Sequence, residues 1–297
     1  MLTIVPGEVS TGKLHAYMLA AVAPRPICFA STVDKNGQVN LSPFSFFNAF
    51  GSNPTTLIFS PARRVRDNTI KHTLENVYET MEVCINVVNY DMVWQMSLAS
   101  TEYDKGINEF EKGGFTELPS DLIRPPRVKE SPVQIECKVR EVIETGREGG
   151  AANLVICEIL KMHISESVLD AEQHIDPNKI KLVARMGGDW YAKAFGEALF
   201  EIEKPLRTKG IGVDSIPESI RLSTVLTGNN LGQLGNVDAL PSEEEIQLFM
   251  EESEQYHNLK TRFGHHDESL EYERHLLAQQ YLNDGDTSSA WKILLAR

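Results

Sequence analysis

Two stretches of this chain, Val133–Thr145 and Asn153–Ser165, alternate apolar and polar residues over unusually long spans, with Gly146, Gly149 and Gly150 between them. Period-two patterning marks strands and the glycines supply a turn, so the pair reads as one long antiparallel hairpin. Long curved strands are what closure of a sheet into a barrel requires. Shorter strand patterns lie at Pro26–Val33, Gln38–Ser42, Thr56–Ser60, Glu82–Val88 and Ile180–Arg185. Few helices intervene, which favours an antiparallel barrel over alternating strand–helix units.

The helices expected around this barrel are peripheral. Ser10 or Thr11 opens one that Pro24 stops, and its apolar run Leu14–Val22 is too short to span a bilayer. Ile70, Leu74, Val77 and Met81 recur at helical spacing, predicting a helix over Thr69–Thr80 capped near Asp67 or Asn68. Tyr90–Ala99 reads as another helix, and Tyr103–Gly114 as a loop with a helical turn. Cys28, Cys84, Cys137 and Cys157 each sit singly inside a strand-like run, as small buried hydrophobes would. A soluble, reduced, cytoplasmic setting follows as the expectation.

Beyond Tyr191 the composition changes. We divide the chain into a barrel domain over 1–195, an irregular connector over 196–240, and an acidic helical extension over 241–297. The extension holds 12 acidic residues against 5 basic ones. Ser242 with Glu245 forms a capping box that opens a helix to about Leu259. Leu270–Leu282 and Thr287–Leu295 read as a helical pair resembling one tetratricopeptide unit, which cannot bury its own face. Packing within a dimer is the default expectation for that face.

Several functions are disfavoured. With 29 basic residues against 42 acidic ones the chain is a poor polyanion binder, so no nucleic-acid partner is expected. No G-x-G-x-x-G, H-E-x-x-H or G-x-S-x-G occurs, and the scattered histidines, with the His265–His266 pair, show no ligand spacing. We therefore assign no metal ligand and no catalytic side chain.

The stretch Asn40-Leu41-Ser42-Pro43-Phe44-Ser45-Phe46-Phe47-Asn48 interleaves small polar residues with aromatics, which suits a surface for a flat ligand with polar edges. Together with Ala30-Ser31-Thr32-Val33-Asp34, Gly37, Lys71-His72-Thr73-Leu74-Glu75-Asn76, Gly106–Phe110 and Arg185-Met186-Gly187-Gly188-Asp189-Trp190-Tyr191, it resembles the flavin-binding core of the flavin reductase-like, FMN-binding split-barrel family, in its flavoredoxin-like branch. The resemblance runs from near the N-terminus to about Ala194. It implies a mainly β antiparallel split barrel with peripheral helices, here followed by the C-terminal α-helical extension.

For function, the resemblance implies an FMN-binding oxidoreductase: an NAD(P)H-dependent flavin reductase, or a flavoredoxin-type protein passing electrons through flavin N5. The partners implied are flavin, nicotinamide, a second copy of the chain in a homodimer, and a protein redox partner. The alternative is a non-catalytic FMN-binding electron carrier or ligand-binding protein whose C-terminal helices hold a protein partner. The family's Lys-x-Thr phosphate position falls on Lys71 and Thr73; the usually acidic residue between them is His72, which is left without a role. Arg63 and Arg64 read equally as phosphate ligands or as a solvated loop pair, with Ser60 adding a hydroxyl. Ser31, Thr32, Asn40, Leu41, Ser42 and Ser45 would line the flavin edge. Phe44 and Phe46 belong to that surface or to the core. Trp190, with Tyr191, shields the ring or forms an interface pair, and Gly187 and Gly188 permit close backbone approach.

Overall fold

The structure, a computed structural model, describes residues 1–202, 209–264 and 267–296, and divides into two compact units, Met1–Phe200 and Glu201–Arg297. The first unit opens with helix α1 (Thr11–Ala21) and strands β1 (Cys28–Val33), β2 (Val39–Phe44), β3 (Phe47–Ser52) and β4 (Thr55–Phe59). Helix α2 (His72–Thr80), strand β5 (Glu82–Val87), a short 3-10 turn at Tyr90–Met92, and helices α3 (Val93–Leu98) and α4 (Glu109–Gly113) follow. Next come the short strands β6 (Glu117–Leu118) and β7 (Arg127–Val128), then the long pair β8 (Val133–Glu144) and β9 (Asn153–Ile164). Helix α5 (Pro177–Ile180) and the hairpin β10 (Leu182–Arg185) and β11 (Tyr191–Ala194) complete the unit.

Seven of these strands form one antiparallel sheet in the order β2-β1-β5-β8-β9-β4-β3. Its two outer strands are consecutive in the chain, separated only by Ser45 and Phe46. A link this short spans at most about 11 Å, so the sheet has to curl until its edges meet at that corner. No ladder joins β2 to β3, which leaves the barrel split. Register shifts in the β8–β9 pairing, at Glu136/Cys137 and Val139/Glu141, supply curvature within the long hairpin.

Alternation around β1 separates two apolar clusters. Cys28 and Ala30 join Phe44, Phe59, Leu74, Val77, Ile85 and Val155 in one. Ile27 and Phe29 join Leu41, Met92, Met96, Phe110 and Phe115 in the other, on the face covered by α3 and α4. All four cysteines are buried and free, and burial raises each thiol above its ordinary range, Cys84 to about 12. The N-terminal helix begins as expected, with Ser10 as its cap, yet none of its residues is buried within this unit. The expected Tyr90–Ala99 helix is shorter, because its first turn is 3-10.

The second unit contains α6 (Glu218–Arg221), α7 (Gly228–Gly235), α8 (Glu243–Glu252), α9 (Glu254–Phe263), α10 (Asp267–Asn283) and α11 (Thr287–Leu295). Ser242 and Glu245 form the expected capping box. The helix does not run on to Leu259, however, because Ser253 leaves helical geometry (ψ 108) and caps α9 through its hydroxyl. Within the stretch read as connector, Ile216, Ile220, Leu226 and Leu234 pack with Tyr256, Leu277, Leu282, Trp291 and Ile293 in one core. The α10–α11 pair therefore buries its apolar face inside its own unit, and Trp291 Nε1–H donates to the Leu234 carbonyl at 3.0 Å. The His265–His266 pair lies outside the described residues.

Candidate functional site

The chain leaves β4 through Ser60 and a loop that ends at α2. Within the loop Arg63 is committed: Nε donates to Asn68 Oδ1 at 2.7 Å and Nη2 to the Asn68 carbonyl at 2.8 Å. Arg64 donates through Nη1 to Thr69 Oγ1 and the Ile70 carbonyl, and its Nε meets Glu102 at 3.2 Å, with Nη2 outside these bonds. Neither Asp67 nor Asn68 caps the helix. Asp67 instead accepts from the hydroxyl and N–H of Thr69, which hold its carboxyl down to about 2. The cap position is Lys71, which provides no side-chain bond; the Leu74 N–H bonds the Lys71 carbonyl, and those of His72 and Thr73 have no partner among the described residues.

The Lys71 ammonium has no carboxylate partner among the described residues. It is half-buried, 6.0 Å from the centroid of the Phe44 ring. Burial and the Arg64 charge lower its pKa, with Glu102 acting in opposition. Beside it, Thr73 Oγ1 accepts from Asn40 Nδ2 at 2.8 Å, and Asn76 Nδ2 donates to Thr32 Oγ1 at 3.2 Å. Register places Thr32 opposite Asn40, Ala30 opposite Ser42 and Cys28 opposite Phe44, so these side chains share the face that α2 covers. A cation pair, one opposing acid and an uncapped helix start suit a phosphate dianion.

The remaining expected residues have their own surroundings. Ser31 points to the opposite face, fully buried, and its hydroxyl has no partner among the described residues. The Leu41 side chain is core, while its N–H donates to the buried Glu109 carboxylate at 2.9 Å; burial raises the Glu109 pKa. Ser60 Oγ accepts from the N–H of Asn153 at 3.2 Å. Ser45 Oγ accepts from Arg25 Nε at 3.3 Å. Phe44 is core and contacts Phe59, whereas Phe46 lies edge-on to His15. Trp190 is 77% exposed, and its carbonyl accepts from Arg185 Nη1 at 3.1 Å. Gly187 does serve close approach, but to α1: an added Cβ would lie 3.0 Å from Ala20.

Three residues of this region have no individual role in the sequence reading. Arg25, nearly buried, donates to the carbonyls of Leu19, Val22 and Met186 as well as to Ser45. It thereby joins the end of α1, the β2–β3 corner and the approach to β11. Asn76 and Glu109 are the others, polar residues whose burial is decided by distant partners. A further cluster brings Asp121, Glu136 and His163 together. Fully buried Glu136 accepts from the N–H groups of Asp121 and Leu122 and pairs with His163, while Lys161 pairs with Asp121. The carboxylates are committed to holding the 120–122 loop.

A cavity of about 540 Å³ lies between α3 and the β10–β11 hairpin, and one of about 350 Å³ adjoins it toward Phe44 and Ser45. No helix among the described residues is long and apolar enough to cross a membrane.

An uncharacterised protein of Aquifex aeolicus is 33% identical over 201 residues, covering 68% of this chain and all of its own. The solved structure of nitrilotriacetate monooxygenase component B from Bacillus cereus is 27% identical with a TM-score of 0.63, covering 68% of this chain and 98% of that one. A split-barrel protein of Shewanella frigidimarina, whose name describes a flavin reductase, is 27% identical with a TM-score of 0.57, over 66% of this chain and 94% of its own. The family model for the flavin reductase like domain matches residues 20–179, a span that holds the split barrel, α2 and the Lys71 cluster. The chain belongs to the flavin reductase-like family, with a split-barrel fold.

Proposed function

We propose that the first unit binds FMN and acts as an NAD(P)H-dependent flavin reductase. The observation that carries this reading is Lys71: a half-buried ammonium with no acid partner among the described residues, at an uncapped helix start beside Thr73 and Arg64. An unpaired charge in such a place is costly unless an anion completes it. Lys71, the N–H groups of His72 and Thr73 at the start of α2, and Arg64 Nη2, which has no partner among the described residues, would hold the phosphate. Asn40, Ser42 and Ser45 on β2 and its corner would meet the polar edge of the ring. When bound, flavin supplies the hydride and electron transfer itself, so the protein need not provide a general acid or base. The task of the chain is to bind, orient and shield. Arg25 fixes Ser45, and Thr73 fixes Asn40, so both polar groups are held in place before any ligand arrives. The exposed α1 and the edge strand β3 support a homodimer.

The test is the visible spectrum of the protein after mixing with FMN and desalting, followed by anaerobic NADH or NADPH. Retained flavin bands that bleach with nicotinamide are expected. Bands that persist unbleached would replace the reductase with an electron carrier. Absence of retained flavin, together with no NAD(P)H consumption when free flavin is present, would end the reading.

A further inference from the structure

The 540 Å³ cavity has two walls that the sequence pattern builds separately. One is a helical stripe: Tyr90, Val93, Trp94 and Ser97 are spaced i, i+3, i+4 and i+7, while Met92, Met96 and Ala99 turn into the core. The other comes from the hairpin, where register pairs Val183 with Lys193 and Arg185 with Tyr191, putting all four side chains on one face. These walls do not close on each other. Trp94 is 85% exposed, an unusual state for the largest side chain on a helix otherwise packed against a core.

The lining chemistry is specific. Lys193 Nζ lies 4.7 Å from the centroid of Tyr90, and the Arg185 guanidinium 4.7 Å from that of Tyr191. Neither cation has a carboxylate partner among the described residues. Asp189 is the one acid in the lining, so the cavity carries a net charge of about +1 within a chain of formal charge −13. The adjoining 350 Å³ space shares Ser97, Arg185, Asp189 and Tyr191 and adds the hydroxyl-bearing Ser45 and Ser100. Aromatic walls favour a flat ring, and two cations against one acid favour an anionic substituent on it, such as a carboxylate.

We propose that this cavity binds a planar aromatic carboxylate, with the ring against Trp94 and Tyr90 and the carboxylate taken by Lys193 and Arg185. The 540 Å³ cavity shares no residue with the proposed FMN phosphate site, whereas the adjoining space includes Ser45, assigned above to the ring edge. Its test is a binding measurement without added flavin, so it fails or succeeds separately from the FMN reading.

The experiment is a titration of tryptophan emission with benzoate, using wild-type protein, Trp94→Phe and Lys193→Met, with benzyl alcohol and adenosine 5′-monophosphate as comparison ligands. A saturable change is expected in wild type and not in Trp94→Phe. Benzoate should weaken about tenfold in Lys193→Met, the loss of one charge-assisted contact, and benzyl alcohol should bind about tenfold more weakly than benzoate to wild type. The alcohol comparison keeps the test valid if the variant is misfolded by circular dichroism. Equal binding of benzoate and benzyl alcohol would overturn the charge assignment. Saturation by the nucleotide but not by benzoate, or by neither, would overturn the proposal.

Discussion

Replacing Lys71 with methionine separates the phosphate from the ring. Methionine keeps an unbranched apolar chain to lie near Phe44 and removes only the ammonium, so packing in the barrel should survive. A hydrogen bond to a charged group contributes about 1.5–3 kcal/mol, and each 1.4 kcal/mol is tenfold in affinity. Lys71→Met should therefore weaken FMN by about tenfold to a hundredfold. Riboflavin, which has the same ring and no phosphate, should bind wild type and variant alike. The pH dependence adds a second signature. Burial and Arg64 favour the neutral amine, so Lys71 loses its proton at a lower pH than an ordinary lysine. Affinity for FMN should then fall as pH rises through that lowered value in wild type, and this fall should be missing in Lys71→Met. Fluorescence quenching of free flavin, titrated with protein across alkaline pH, reads both effects. Equal weakening of FMN and riboflavin, or of neither, would refute the placement of the phosphate.

Two stability predictions follow from buried groups. Glu136→Gln leaves one N–H of the 120–122 loop facing an amide NH₂; at about 2 kcal/mol for the lost charged bond, the melting midpoint of a unit this size should drop by about 4–8 °C at pH 7. Burial alone would raise the Glu136 pKa, but its bonds from Asp121, His163 and Leu122 outweigh this and lower it. Its stabilisation is thus present above the ordinary glutamate pKa and lost as pH falls through the depressed folded value, so wild type and variant should converge in acid. A gap independent of pH, followed by circular dichroism melts, would contradict the assignment. Trp291→Ala should cost the helical unit about 3–5 kcal/mol, since a fully buried ring and its bond to the Leu234 carbonyl are both lost. Loss of less than about 1 kcal/mol in urea unfolding would show that Trp291 is not central to that core.

Much of this architecture is written locally. Period-two runs fix the β8–β9 hairpin, single cysteines within strand patterns fix four buried thiols, and Ser242 with Glu245 fixes the start of α8. Each depends on neighbours within a few residues, where backbone geometry determines which side chains share a face. The phosphate reading of Lys71 and Thr73 rests on a short motif near an expected helix start together with the family resemblance. By contrast, the sheet order β2-β1-β5-β8-β9-β4-β3 is not the chain order, and no local pattern states which strand lies next to which. Partners across such distances are set by packing. Asn40 meets Thr73, Asn76 meets Thr32, and Arg25 reaches Met186.

Those tertiary partners decide which polar residues are available. Arg63 and Arg64 look alike in sequence, yet Asn68 occupies the first, while Nη2 of the second has no partner among the described residues. The apolar face of α10–α11 finds its cover in Leu226 and Leu234, residues of a stretch that read as connector. Sequence by itself determined the strands, the helix starts and the kind of chemistry a lysine and threonine at one of those starts can do. Only the three-dimensional packing decided which charge has no partner among the described residues, because a charge is satisfied by whatever the fold brings within about 4 Å of it, however far away that lies in the chain.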